Sequence, residues 1–498
     1  VEQGETFKFS DNYRRTYNIP ISTTTNLGGY PRGDDYLISQ TEGPRQCRLS
    51  FNQGIVGENS ITVQADCRKV TSTNPPAPQH RFDLVTRSSD NKIFNTYYES
   101  SMPVIGGKGE DEARYVAFVM YGKNIDGSNG NYRQIFWRDR KAGITKLISK
   151  SATGEQGNGN SFSPSISTDG RFVVFETYAT NFSASDNNAV RDVYLWDKTT
   201  EQLTLISKSI SGTTANGESY EPVISGDGST IAYTSNASDI VKLEPVFNTP
   251  NVYVCDVNGG STAFITKDFE TGKAAGGYAP SISDDGTKIA FCAYTSRLVK
   301  NDVNNLWDIF LWQRGAPALK RISMTASGGE RNQGTESSSR VVWPSISGNG
   351  EFVVFATTAT NMENAEDKNN AQDIFIYNTL TDHVKRVTKA NDLSEPNGDS
   401  PVGQGERIGI SYDGSWIAYN TNATNLGVPK GNIVIQSTQD GRIIPITTST
   451  YGSTARPMLS RYGNYVTAGC SEKYDQRFPS SGIFVIYTDK GPCISCNE

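Results

Sequence analysis

Three segments of this 498-residue chain repeat an Asp-x-Asn-x-x-x-Asp spacing: Asp186, Asn188 and Asp192; Asp302, Asn304 and Asp308; Asp367, Asn369 and Asp373. Oxygen ligands two and six residues apart in a turn suit a hard cation, and calcium is the expected cofactor. The plainer reading is that the last Asp of each set caps a loop entering a strand through backbone N–H groups, with no metal. A second set is aromatic. Phe162, Tyr220 and Tyr278 each stand two residues before a proline, and Trp343 stands one before. Around a polar mouth such rings stack on sugars or a peptide. Packing between neighbouring repeats is the competing explanation, and the favoured one.

Other chemistry is thinly supplied. The only histidines are His80 and His383, which removes most triad hydrolases and most His-rich metal sites. No Gly-x-Ser-x-Gly elbow occurs. Neighbouring carboxylates such as Glu110 and Asp111, or Asp284 and Asp285, read as turn residues, so no pair is singled out for a glycosidase. A net charge of −6 gives no electrostatic case for nucleic acid. No run reaches the roughly 18 apolar residues of a helical membrane span. Val1 opens the chain without a basic-then-apolar leader, as expected of a processed secreted protein. Cys47 and Cys67 bracket a hairpin-like segment and are expected to form a disulfide in an oxidising compartment. Cys470 is a candidate partner for Cys493 or Cys496, while Cys255 and Cys292 fall in strands, as buried thiols or a further pairing.

The elements that position these residues come from an internal repeat. Ser-Pro-Ser-Ile-Ser-Thr-Asp-Gly-Arg-Phe-Val-Val-Phe begins at Ser163, with copies at Glu221, Ala279 and Trp343 and weaker ones at Met102, Arg407 and Arg456. Their turn glycines are Gly109, Gly170, Gly228, Gly286, Gly350, Gly414 and Gly463. Asp-Gly or Asn-Gly between apolar runs is hairpin chemistry, because glycine accepts positive φ. A third strand follows in every copy, Asp192-Val-Tyr-Leu-Trp being one, and a fourth in six of them. Four antiparallel strands repeated about an axis make a β-propeller. The missing fourth strand is assigned to Phe82-Asp-Leu-Val-Thr-Arg-Ser, upstream of the first unit. An N-terminal outer strand then closes a seven-bladed ring and leaves no free edge.

Pro-Ser-Ile-Ser-x-Asp-Gly, then Val-Val-Phe or Ile-Ala-Phe, Ala-Thr-Asn, and Asp-x-Asn-x-x-x-Asp-Val-Tyr together resemble the TolB-like propeller repeats of bacterial secreted proteins. The resemblance spans about residues 82–490. It implies the fold strongly and function weakly, since such propellers serve as binding platforms, scaffolds and occasionally enzymes. The namesake is six-bladed with a different N-terminal domain, and this chain departs from both. Gly33, Tyr36, Pro44, Gln46-Cys47, Asn52, Gly54, Gly57, Ile61 and Val63 look like a small β-sandwich module of bacterial surface proteins.

The expected organisation is an all-β chain: a β-sandwich-like module over 1–69, a Pro-rich linker over 70–81, the propeller over 82–490 and a cysteine-containing tail over 491–498. The expected role is a secreted, non-enzymatic binding or scaffold protein. Its partners would be a protein or glycan at the propeller rim, with self-assembly through Val1–Tyr36. A polysaccharide lyase or glycosidase working in the channel is the alternative.

Overall fold

The computed structural model describes residues 82–90, 100–121, 128–184, 186, 188–242, 249–258, 261–332, 343–363, 367–369, 371–390, 394–401, 407–447, 454–470 and 482–488. It also describes, as backbone, the strand segments 6–11, 16–20, 24–28, 35–42, 46–50, 53–55 and 60–68. The chain divides into two compact units, Val1–His80 with Asp489–Glu498, and Arg81–Thr488.

The larger unit is a ring of seven four-stranded antiparallel sheets. Blade two is typical. Ser161–Ile166 lines the channel, Phe172–Thr177 and Asp192–Asp197 follow outward, and Gln202–Leu205 is outermost. The two middle strands of each blade are apolar and sheltered on both faces by neighbouring blades, so residues such as Val173, Phe175, Ile231, Tyr233 and Phe291 are fully buried. The turn between the first two strands is tight. Gly170 has φ +68°, and a Cβ there would fall 2.2 Å from the Tyr115 ring of the preceding blade.

The expected closure is present. Phe82–Leu84 is the outermost strand of blade seven, with Leu84 paired to Phe484 and Phe82 to Ile486. Val85 continues the ladder, its N–H donating to the Ile483 carbonyl at 2.7 Å. The same ribbon is tied to blade one. Arg140 Nε donates to Asp83 at 2.7 Å, and Thr145 Oγ1 donates to the Arg87 carbonyl at 2.5 Å. The register spans Phe82–Leu84, shorter than the 82–88 expected, because the chain turns at Thr86–Arg87 toward blade one.

Successive blades are stitched by backbone hydrogen bonds around the channel. Gly107 N–H donates to Thr168 O, Thr168 to Gly226 O, Asp227 to Asp284 O, Asp284 to Gly348 O, Asn349 to Tyr412 O and Tyr412 to Arg461 O, all at 2.7–2.9 Å. A side chain completes the belt between blades seven and one. The Glu112 carboxylate accepts from Ser460 Oγ at 2.5 Å, Tyr462 N–H at 2.9 Å and Asn464 Nδ2 at 2.7 Å. In blade two the turn's own Asp169 accepts from Ser167 Oγ. Blade seven has Tyr462 at that position, and Glu112 takes over the role.

In the smaller unit, Thr16–Pro20, Thr6–Asp11, Asp35–Glu42 and Gln53–Ile55 form one sheet, and Thr24–Gly28, Ser60–Arg68 and Gln46–Ser50 form another. Cys47 and Cys67 are register partners on adjacent antiparallel strands. Their side chains, the packing of the two sheets, His80, Cys493 and Cys496 lie outside the described residues. Cys255 and Cys292 are buried thiols, and Cys292 Sγ donates to the Tyr278 carbonyl at 3.3 Å.

Candidate functional site

The innermost strands hold the channel's two mouths apart. Ile105, Ile166, Ile224, Ile282, Ile346 and Ile410, with Leu459, form an aliphatic collar, one residue per blade. Each Ile-Ser or Leu-Ser step of the repeat therefore places its apolar residue in the channel and its serine in the turn.

At the mouth where the inner strands begin, a bulge interrupts each of several strands, as between Phe162 and Ser165 and between Tyr220 and Val223. The residue before the proline is left-handed: Met102, Ser163, Glu221 and Ala279 have φ of 49° to 54°. The bulge frees an N–H for the neighbouring blade. Glu221 N–H donates to Glu176 Oε2 at 2.6 Å, and Ala279 N–H to Glu221 Oε2 at 2.9 Å. Both carboxyls are thus anchored in the frame. Burial raises both, Glu221 to about 7, with the Glu176 charge adding to it and Arg407 and Arg191 opposing.

The structure does not bring the four aromatic side chains into one ring. The Arg191 guanidinium lies over Tyr220 at 4.5 Å, Arg133 over Phe162 at 5.7 Å, and Tyr278 meets Trp307 edge-on at 5.4 Å. Only Trp343 lines the recess at this mouth, beside Met102, Val223, Met458, Glu221 and Arg407. Its place in the repeat explains the difference. It aligns with Ser163, Glu221 and Ala279, one position after the other aromatics. Arg407 covers Trp343 at 5.1 Å and donates to the Pro280 carbonyl at 3.0 Å. The recess is small, about 100 Å³.

The opposite mouth, at the hairpin turns, is wider, about 460 Å³, and polar. Asp169 and Asp227 each accept two hydrogen bonds at Oδ1 from their own turn, as Asp227 does from Ser225 Oγ at 2.5 Å and Ser229 N–H at 2.9 Å, and Asp285 accepts a third there from Thr287 Oγ1. The turns fix these carboxylates along the rim. The residue after the repeat's serine faces the mouth: Thr168, Gly226, Asp284, Gly348, Tyr412 and Arg461. The Asp284 carboxylate lies between two glycines; a Cβ on Gly226 or Gly348 would fall 2.4 or 3.0 Å from its Cγ. It pairs with Arg461, which lies 3.7 Å over the Tyr412 ring. Burial raises the Asp284 carboxyl, against the pull of Arg461. Sequence reasoning passed over this mouth by reading Asp284 and Asp285 as turn residues. The varying residue between the serine and the turn acid was the available signal.

The three acidic loops lie at the rim of the smaller mouth, between the second and third strands. Asp192, Asp308 and Asp373 each begin a third strand and accept at Oδ1 from a hydroxyl two residues beyond the end of the outermost strand: Ser207 at 2.7 Å, Ser323 at 2.5 Å and Thr388 at 2.6 Å. Gln134 and Asn251 accept the equivalent bond in blades one and three. The bond is therefore a feature of the repeat, independent of charge. Asn304 and Asn369 donate to the other oxygen of Asp308 and Asp373 at 2.9 and 3.1 Å, and Asn188 to Asp192 at 3.3 Å. In blade four the Arg321 guanidinium lies 2.6 Å from Asp302 and 3.5 Å from Asp308. In blade five Arg386 lies 3.6 Å from Asp367 and 3.2 Å from Asp373. These arginines supply a counter-charge from the chain itself, from thirteen residues beyond the last Asp of each loop.

The fold is shared with solved structures at low identity. Similar chains include an oligogalacturonate lyase from Vibrio parahaemolyticus (11% identity, TM-score 0.51, covering 82% of this chain and 97% of that one). TolB from Acinetobacter baumannii is another (20% identity, TM-score 0.33, 57% and 53%), the match spanning about half of that protein. A Pyrococcus horikoshii acylaminoacyl peptidase is a third (14% identity, TM-score 0.44, 80% and 52%). No protein-family model matches the chain, and no curated protein does.

Proposed function

We propose that this chain is a non-enzymatic binding or scaffold protein, secreted to the periplasm or cell exterior, whose wider channel mouth receives a protein segment rich in lysine or arginine. The observation that carries this reading is the rim at that mouth, where turns hold Asp169, Asp227 and Asp285 in place before any ligand arrives. Preorganised carboxylates recognise cationic groups without an ordering cost. Lys108 and Arg461 are the positive side chains lining the mouth, and Arg461 is engaged by Asp284. Assembly through Val1–Tyr36 belongs to the same reading, with the propeller as the repeating body.

The test is calorimetry on the full chain with lysine-rich peptides and, in parallel, neutral oligosaccharides. Basic peptides are expected to bind, with affinity falling about tenfold in an Asp227→Asn, Asp285→Asn double variant, a loss of about 1.4 kcal/mol. Failure of every basic peptide to bind, or glycan binding unaffected by the double variant, overturns the reading.

A carbohydrate-active enzyme is the second reading, favoured by one observation: Glu176 and Glu221 meet at the smaller mouth with raised carboxyls. Their commitment to the bulge N–H groups counts against it. Glycan turnover abolished by Glu221→Gln would establish it.

A further inference from the structure

The blade-two acidic loop differs from its two sisters in one decisive place. Strand register aligns Leu205 with Arg321 and Arg386: Tyr194 pairs with Leu205, Phe310 with Arg321 and Phe375 with Arg386. Blade two thus keeps the acids and lacks the guanidinium. Asp186 and Asp192 are both buried, at 9% and 0% exposure. One oxygen of Asp186 accepts the Asn188 backbone N–H, while Oδ1, buried, has no partner. A second and independent orphan is the hydroxyl of Tyr194, a residue only 1% exposed. Tyr194 follows Asp192 by two residues, on the same face of the strand, and the charges of Asp186 and Asp192 both bear on its hydroxyl. The sister blades carry Phe310 and Phe375 there, which have no oxygen to offer. In blade five Asp367 Oδ2 also takes no hydrogen bond, but Arg386 stands beside that carboxylate.

Two buried carboxylates without a counter-charge are costly, and buried acids are ordinarily paired or bound to metal. We propose that the blade-two loop binds one calcium-sized divalent cation between Asp186 and Asp192, in the place a guanidinium fills in blades four and five. The donors are all hard: the unpartnered Asp186 Oδ1, the remaining lone pairs of the Asp192 carboxylate, whose oxygens already accept from Ser207 and Asn188, and the Tyr194 hydroxyl, with backbone or water oxygens completing the shell. Asn188 positions them, since its Nδ2 donates to Asp192 and, at 2.8 Å, to the Ala215 carbonyl.

The sister blades supply the test. Calcium is titrated calorimetrically into chelator-stripped full-length chain, and the melting temperature is read in calcium and in EDTA. The wild type is expected to bind calcium and to melt several degrees lower in EDTA. Leu205→Arg, which installs the sister blades' solution, should remove one bound ion per chain and the EDTA effect together while folding normally. Arg386→Leu with Phe375→Tyr should gain one site in blade five, where Arg386 faces both acids; in blade four Arg331 also pairs with Asp308, at 3.1 Å. If the wild type takes up no calcium and is indifferent to chelator, the pair is neutralised by protons or water and the proposal falls. It falls equally if Leu205→Arg leaves calcium uptake unchanged. Neither outcome depends on peptide binding at the wide mouth, so the two readings fail separately.

Discussion

The two ends of the channel are built from the same seven inner strands and finish as opposite surfaces. At the strand-start end the charged groups are turned inward: Glu176 and Glu221 hold bulge N–H groups, Arg407 holds a carbonyl, and a small apolar recess remains. At the turn end, one carboxylate oxygen per turn serves the backbone and the acid still reaches the rim. In a repeat fold, then, surface chemistry comes from positions that the repeat's own hydrogen bonding leaves uncommitted. Carboxylates serve the frame at one end and reach solvent at the other.

The contrast can be erased by opening the ring. Leu84 is 1% exposed in the ribbon that completes blade seven, so Leu84→Asp buries an unpaired charge. A loss of roughly 4 kcal/mol or more is expected, read as a shifted or lost cooperative transition in denaturant, with both mouths lost together. The strand-start end alone is probed by pH. The Glu221 carboxyl titrates near 7 in the folded chain against an ordinary 4.5, so the native state holds the proton more tightly. Stability should therefore be greatest in acid and fall as pH rises from 4.5 through 7, by roughly 3 kcal/mol for this group. Glu221→Gln should remove about that share of the slope in melting curves between pH 5 and 8, with Glu176 and the buried Asp192 and Asp373 carboxyls, raised to about 7 and about 6, leaving a remainder of the same sign. A slope unchanged in the variant would place the titration elsewhere. The smallest effect belongs to the turn end. Glu112→Ala strands the Ser460, Tyr462 and Asn464 donors at one seam only. A cost of about 2 kcal/mol is expected by denaturant titration, with calcium uptake at blade two unaltered.

Most of the architecture was legible because each signal is local. A serine, a turn acid and a glycine between apolar runs define a hairpin wherever they occur, and counting third and fourth strands showed that one outer strand must come from near Phe82. The candidate sites were less legible, because they depend on register between distant strands. Nothing near Asp302 announces Arg321; the pairing of Phe310 with Arg321 brings the guanidinium to the loop. Likewise nothing near Asp186 marks the significance of Leu205, which emerges only when three outer strands are superposed. Trp343 was grouped with three aromatics it does not match, because proximity to a proline conceals a one-residue offset across the bulge. The repeated Ala-Thr-Asn has a plainer use: Asn181, Asn361 and Asn425 donate to the carbonyls of Gln156, Glu330 and Glu395, joining the second-to-third-strand loop to the preceding outer-strand connection.

The ribbon at Phe82–Leu84 is synthesised early and used last. Its partner Phe484 lies 400 residues further along. At about 5–20 residues per second, a ribosome leaves that ribbon waiting for tens of seconds while six blades form beside it. During that interval the nascent chain carries an unmated strand ahead of the growing ring, available to chaperones or to the last blade of a second copy. Faithful maturation of this protein thus depends on a late encounter between the first and last strands of the ring.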